Sequence, residues 1–390
     1  MATPTAGTRQ DDVRRHNRSA LLRRLHVSGP CTRAALATEL GLNRSTIKAL
    51  VDDLASEGIV EERVPTLRSG AGRPSLLVLP QPLATAVLAV DLRVEQVSMA
   101  LVGVGGQMLG RCSWSLREAN RSPRDVCTKI IESAAQLREE MSVDVVAVGV
   151  SVPGVVRRSD GYVHEAPNLH WSDVALGDRL ARQLRLPVHI GNDADLGALA
   201  EHLRGAASDA ADVVYVTGDV GVGGGAISGG SSLGSRGGYV GEIGHMVVNP
   251  SGKACYCGCR GCWETEVGER ALAVALGMPE DSSRGVIVAE LARLADDPER
   301  LLSMLSGFAE WLAVGLCTIA NMLCPQLIVL GNLYTALPDT LVAHVAAIVR
   351  QRSLVSRALG GIEIVTSSLG PDVTLLGAAE LAFEPVLTSR

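Results

Sequence analysis

The stretch from His245 to Glu264 restricts the fold of this chain more than any other. It reads His-Met-Val-Val-Asn-Pro-Ser-Gly-Lys-Ala-Cys-Tyr-Cys-Gly-Cys-Arg-Gly-Cys-Trp-Glu, which spaces His245, Cys255, Cys257 and Cys262 within 18 residues. Three thiols and one imidazole are the four soft ligands that a tetrahedral zinc site takes. Gly258 and Gly261 let the backbone turn tightly enough to aim the sulfurs inward. The expectation is one structural Zn2+ per chain, held by His245, Cys255, Cys257 and Cys262. The alternative is a disulfide or a set of buried thiols. It is weaker, because Cys and His packed this closely favour metal and disulfides are rare in reducing compartments. Cys259 breaks the spacing and reads as a spare thiol.

At 390 residues the chain is too long for one ordinary domain. With aromatics at 3% and apolar residues at 47%, its core must be built from Leu, Val and Ala. The net charge of −6 is unevenly spread. Residues 13–78 hold 11 Lys and Arg against 6 Asp and Glu, a balance of +5, so the remainder carries −11. A basic module on an acidic body points the N-terminal part toward a polyanion. No apolar run follows the first charges, so no signal peptide is expected, and nine cysteines then fit a cytoplasmic protein with one metal site. The uncharged stretch Trp311–Pro338 is interrupted by Asn321, Pro325, Gln326 and Asn332. It reads as a buried helix to Leu323 and a core strand Gln326–Leu330, rather than a membrane span.

Residues 1–12 are small and polar and read as a flexible tail. Leu21, Leu22 and Leu25 then mark a helix stopped by Gly29-Pro30. Thr32 can cap a second helix, carrying Ala35, Leu36 and Leu40. Asn43 can cap a third, with Ile47, Leu50, Val51 and Leu54 on one face. Two β-prone runs follow, Ile59–Val64 and Leu76–Leu79, around the Gly-, Pro- and Arg-rich loop Pro65–Pro74. This is three helices and a hairpin over residues 13–80. Asn43, Arg44, Ser45, Thr46 and Lys48 lie off the apolar face of the third helix, as a recognition helix presents polar side chains to the major groove. The loop with Arg68 and Arg73 resembles the wing of a winged helix, which lays Arg along phosphates or into the minor groove. The alternative is a protein-interaction module whose charges form a solvated face. From Ala84 onward, strands such as Val87–Asp91, Val97–Val102, Val143–Val150 and Asp212–Thr217 alternate with helices near Arg124–Glu140 and Asp178–Leu184. That alternation argues an α/β class.

Gly241-Glu242-Ile243-Gly244-His245, the Cys-x-Cys-Gly-x-x-Gly-Cys-x-Glu loop and Asn192-Asp193 together resemble the ROK family of sugar kinases and sugar-responsive repressors. The likeness runs from about residue 84 to the C-terminus. The residues 16–22 and 41–51 are similar to the winged helix-turn-helix segments fused to ROK repressors. The resemblance implies two RNase-H-like lobes of the actin and hexokinase type around a cleft. Lobe 1 would cover about 84–193 plus a C-terminal helix near 372–390, and lobe 2 about 194–371. It places Asn192, Asp193, Glu242, His245 and Glu264 around a sugar, with Gly154 and Asn168 in the loops opposite. A His bound to zinc through one nitrogen can offer the other to a hydroxyl.

The phosphate loops depart from the kinase pattern. Where ROK kinases resemble Asp-x-Gly-Gly-Thr, this chain reads Asp91-Leu92-Arg93-Val94-Glu95. Where they resemble Gly-Thr-Gly-x-Gly-Gly-Gly, it reads Asp219-Val220-Gly221-Val222-Gly223-Gly224-Gly225. A carboxylate 4 Å from a phosphate charge repels it by roughly 4 kcal/mol at an effective dielectric near 20. Asp193 then reads as a sugar ligand at a vestigial base position, with no catalytic residue. The expected protein is a regulator, a repressor, that binds operator DNA as a homodimer or homotetramer, takes a sugar or sugar derivative, and needs no membrane. The alternative is an ATP-dependent sugar kinase with an appended DNA-binding domain.

Overall fold

The computed structural model describes residues 10–64, 75–233, 237 and 239–389. Arg68 and Arg73 lie outside the described residues. The chain forms two compact units. One comprises residues 1–150, 175–190 and 378–390, and the other residues 151–174 and 191–377. These units draw the boundary differently from the lobes expected from sequence: 151–174 goes with the second unit, and the N-terminal module goes with the first.

The first unit begins with helices Gln10–Ser28, Arg33–Glu39 and Arg44–Ser56. Their caps are the ones the sequence offers. The Thr32 hydroxyl accepts from the Ala35 N–H at 3.2 Å, and the Asn43 amide oxygen from the Thr46 N–H at 2.8 Å. Leu21, Leu22, Leu25, Leu36, Ile47, Leu50, Val51 and Leu54 are buried between them. The strands Val60–Arg63 and Leu77–Pro80 pair antiparallel. A third strand, Cys31–Thr32, pairs with Leu77–Val78 and was not evident in the sequence, because two residues give no period.

His26 ends the buried stripe of the first helix. Its Nδ1 accepts from the Gly105 N–H at 2.9 Å, so the ring proton sits on Nε2 and donates to the Glu380 carboxylate at 3.1 Å. The ring also packs 4.3 Å from Phe383. This module is therefore joined to the hairpin turn at 103–106 and to the final helix, Val373–Ser389, by a fully buried polar link.

Each unit carries one five-stranded sheet. In chain order the first sheet uses Ala86–Leu92, Gln96–Gly103, Met108–Ser115, Val145–Val152 and Val188–Asn192. The second uses Val213–Gly218, Val222–Ser228, Ser231–Ser232, Leu327–Asn332 and Glu363–Thr366. Counted within its own sheet, each has the order 3-2-1-4-5. Both open with an antiparallel hairpin between their first two strands.

The helix Ser306–Leu323 is long and apolar enough to cross a membrane by composition. Here Phe308, Leu312, Leu316 and Ile319 are buried along one side, in the core of the second unit. Trp263 packs so tightly on its Gly315 that a Cβ there would lie 2.0 Å from the indole. The helix is followed by the strand Leu327–Asn332, close to the expected Gln326–Leu330.

Candidate metal centre and sugar site

The metal loop is a knuckle tied by its own backbone. The Val248 and Asn249 N–H groups donate to the Gly261 carbonyl at 2.9 and 3.1 Å, and Cys255 N–H donates to Cys259 O at 2.9 Å. Gly261 has φ +68°, and a Cβ on it would lie 1.5 Å from Asn249 O, so no other residue closes this turn. Trp263 anchors the end of the loop: it is fully buried, and its Nε1–H donates to Trp311 O at 2.9 Å.

The ligand atoms of His245, Cys255, Cys257 and Cys262 all lie within 4.8 Å of one another. His245 Nδ1 is 3.6 Å from Cys255 Sγ, and Cys257 Sγ is 3.5 Å from Cys262 Sγ. Tetrahedral bonds of about 2.3 Å to sulfur and 2.0–2.1 Å to nitrogen put neighbouring ligands roughly 3.5–3.8 Å apart. Two of the separations match that spacing and the rest lie within 4.8 Å, so the four residues could hold a metal after small side-chain movements. Cys259 is exposed and outside the group. The Cys257 thiol is pulled down to about 7, chiefly by the Cys259 backbone N–H. Burial pushes Cys262 up to about 11 and raises Cys255 further.

The expected sugar ligands all belong to the second unit. Ile243–His245 is a single 3-10 turn with Glu242 at its N-cap. In such a turn residues i and i+3 eclipse, so Glu242 and His245 share a face, with Glu242 Oε2 4.0 Å from His245 Nε2. Glu264 heads the helix Trp263–Val267, and its Oε1 lies 2.9 Å from Cys255 Sγ and 3.6 Å from His245 Nδ1. Burial raises the Glu242 carboxyl above its ordinary value, and His245 opposes the shift. Asn192 is more a fastener than a ligand. Its Oδ1 caps the helix Asp193–Arg204 through the Ala194 and Asp195 N–H groups, and its Nδ2 donates to Gly154 O at 3.0 Å. Asp193 opens that helix, and Asn168 sits in the short turn Pro167–Leu169.

Two residues escaped the sequence reading. Tyr256 places its hydroxyl 2.9 Å from His245 Nε2. Asp195 is 5% exposed, its Oδ1 lacks a hydrogen-bond partner, and burial pushes its carboxyl up to about 7 against the pull of Arg158. Its only sequence signal is its place two residues after Asp193.

The glycine-rich hairpin is closed from within. Asp219 Oδ1 accepts from the Val220 N–H at 2.9 Å and pairs with Arg284, while Oδ2 accepts from Asn332 Nδ2 at 2.8 Å. Arg284 also donates to Glu269 at 2.6 Å and to Asn332 Oδ1 at 3.0 Å. A carboxylate thus takes up a backbone N–H and a guanidinium as a phosphate would. Asp219 is therefore not the bare repelling charge expected from sequence, because Arg284 offsets it. The three glycines serve packing: a Cβ on Gly225 would lie 2.3 Å from Ala194 O, and one on Gly224 would lie 2.4 Å from Ile243 Cδ1.

On the N-terminal module, Arg44, Ser45 and Lys48 are exposed along the third helix, and Thr46 is half-buried. Asn43 spends its amide oxygen on the cap and on the Ser45 hydroxyl, and Lys48 pairs with Asp52 at 2.7 Å.

A paired set of 3-2-1-4-5 sheets, with a His/Cys loop beside two carboxylates, defines an α/β sugar-kinase-like protein. The ROK family profile matches residues 87–384, and the chain belongs to that family. It is 30% identical over 386 residues to the xylose repressor of Bacillus spizizenii, covering 97% of each chain. It is 28% identical over 318 residues to the glucokinase of Halalkalibacterium halodurans, covering 75% of this chain and 94% of the enzyme. A crystal structure of a ROK family transcriptional regulator, a homologue of the E. coli MLC protein, superposes with a TM-score of 0.78 at 24% identity, over 96% of this chain and 97% of the other.

Proposed function

We propose that this chain is a sugar-responsive transcriptional regulator, a repressor, that reads operator DNA with an N-terminal winged helix-turn-helix over 13–80. Its ROK region, 84–390, would take a sugar or sugar derivative in two RNase-H-like lobes. One observation carries this reading. The match to the xylose repressor runs through the N-terminal module, whereas the match to the glucokinase leaves a quarter of this chain uncovered. Arg44, Ser45, Thr46 and Lys48 would face the major groove, with Arg68 and Arg73 on the wing. Gly154, Asn168, Asp193, Glu242, His245 and Glu264 would surround the sugar, and Asn192 would hold the loops that position them. Zinc on His245, Cys255, Cys257 and Cys262, once bound, would close the loop and fix the His245 ring. A homodimer on a palindromic site suits a winged helix, and a homotetramer would join two such pairs. A cytoplasmic location follows from a DNA partner.

The kinase reading retains Asp193 and the likeness to a glucokinase in its favour. Against it stand the altered loop at 91–95 and the Asp219–Arg284 pair, which fills the second phosphate loop. Selection of bound duplexes from a random DNA pool, repeated with D-xylose, D-glucose and N-acetyl-D-glucosamine, tests the proposal. An enriched palindrome whose binding changes with one sugar is expected. Enrichment of no duplex, or ATP-dependent phosphorylation of a sugar at roughly 1–100 per second, would overturn it.

A further inference from the structure

We infer that Tyr256 is a specificity-determining residue of the sugar site, whose phenol holds the place of a ligand hydroxyl on His245 until a sugar displaces it. The inference rests on the sugar-site reading above.

An imidazole has two in-plane nitrogens, and each directs its bond along one line. In His245 the Nδ1 line points into the Cys255, Cys257 and Cys262 group. The other nitrogen, Nε2, is then the only one a ligand can reach, and its line is taken by the Tyr256 hydroxyl at 2.9 Å. The two rings meet edge to face at 82° with centroids 5.1 Å apart, which holds the phenol against the imidazole edge. The same Nε2 lies 4.0 Å from Glu242 Oε2.

A sugar hydroxyl is an O–H donor with two lone pairs, and so is a phenol. A ligand hydroxyl placed between Nε2 and Glu242 can accept from the imidazole N–H and donate to the carboxylate. It cannot do so while the phenol is there. Tyr256 is 62% exposed, so its ring can turn out into water without breaking a core. It sits between Cys255 and Cys257, so its backbone is held by the metal loop and only the side chain moves. Binding therefore exchanges one hydroxyl for another, and the ligand gains only the difference between two similar hydrogen bonds. A deoxy sugar lacking that hydroxyl leaves the phenol in place and loses little.

Tyr256→Phe keeps the ring and removes the competitor. Calorimetry of the full-length, zinc-loaded protein with D-glucose and D-xylose should show whichever sugar binds the wild type binding the variant roughly two- to tenfold more tightly. Zinc content should stay the same, and discrimination against the monodeoxy analogue of that contact should widen by the same factor. In 15N-histidine spectra, the His245 Nε2 resonance should move on sugar addition in both proteins and differ between their ligand-free forms. Tighter binding in one or more sugars with unchanged zinc supports the inference. Unchanged or weaker binding in Tyr256→Phe, where the wild type binds, would overturn it and leave the sugar site standing. Failure of the wild type to bind either sugar would remove the sugar-site reading and this inference together.

Discussion

The two sheets share one strand order, and in each the hairpin after the first strand carries an aspartate paired with an arginine. The pairings differ in reach. Asp91 pairs with Arg93, two residues on, at 2.7 Å. Asp219 pairs with Arg284, 65 residues on, and shares it with Glu269 and Asn332. The first hairpin is held by Arg93 and also by Arg121, 27 residues on from Val94, whose Nη2 donates to Val94 O at 3.1 Å. The second is satisfied by the fold, and it also borders the metal loop, since a Cβ on Gly221 would sit 2.7 Å from Glu264 Oε2. One topology has thus been closed in two ways, and the second brings its hairpin against Glu264, beside the His245 and cysteine group.

The strongest way to break this comparison is to remove the metal. Cys257→Ser should lose the single zinc equivalent expected per chain. Through Glu264 it should speed amide exchange at Gly221 and Val222 while leaving residues 92–96 unchanged. Equal loosening of both hairpins, or none, would erase the distinction.

Next in size is the acidity under the second hairpin. Gly225 packs directly on the backbone of Ala194 and Asp195. The folded Asp195 carboxyl titrates at about 7, well above an unfolded aspartate near 3.8. Between those values the folded chain holds the extra proton, so stability must fall as pH rises from about 4 to 7 and level off above. The full effect is on the order of 4 kcal/mol, at 1.36 kcal/mol per unit. Asp195→Asn should flatten that slope in urea unfolding, and an undiminished slope would remove Asp195 as its source.

Smaller effects come from the arginines themselves. Arg284→Ala leaves Asp219 and Glu269 without their shared cation and should cost about 2–3 kcal/mol of stability. Arg93→Ala strips a cation from Asp91, whose carboxylate is 1% exposed, and should cost a comparable amount, roughly 2–3 kcal/mol. Thermal unfolding of both variants would sharpen the comparison, and a loss below about 1 kcal/mol in Arg93→Ala would refute it. Smallest of all is the effect of nucleotide. Millimolar ATP and magnesium should leave the affinity for sugar unchanged, and a shift of threefold or more in calorimetry would show the second hairpin to be open.

What could be read from the sequence was local. The four residues that could hold a metal stand within 18 residues, the caps Thr32 and Asn43 act within three, and the helices declare themselves by period. The loss of Gly-Gly-Thr after Asp91 was visible because its replacement is adjacent. Arg284, Glu380 as the partner of His26, and the hold of Asn192 on Gly154 were not visible. Their partners lie tens to hundreds of residues away, and no periodicity marks a single contact. Tyr256 stands between two cysteines, but no sequence pattern fixes the rotamer that brings its hydroxyl to His245 Nε2.

An anion that belongs to the polypeptide cannot be diluted or exchanged. Asp219 is already matched to Arg284, Asn332 and the Val220 N–H. The turn it braces therefore keeps its partners at any concentration of solutes around it, and its order is a property of the fold alone.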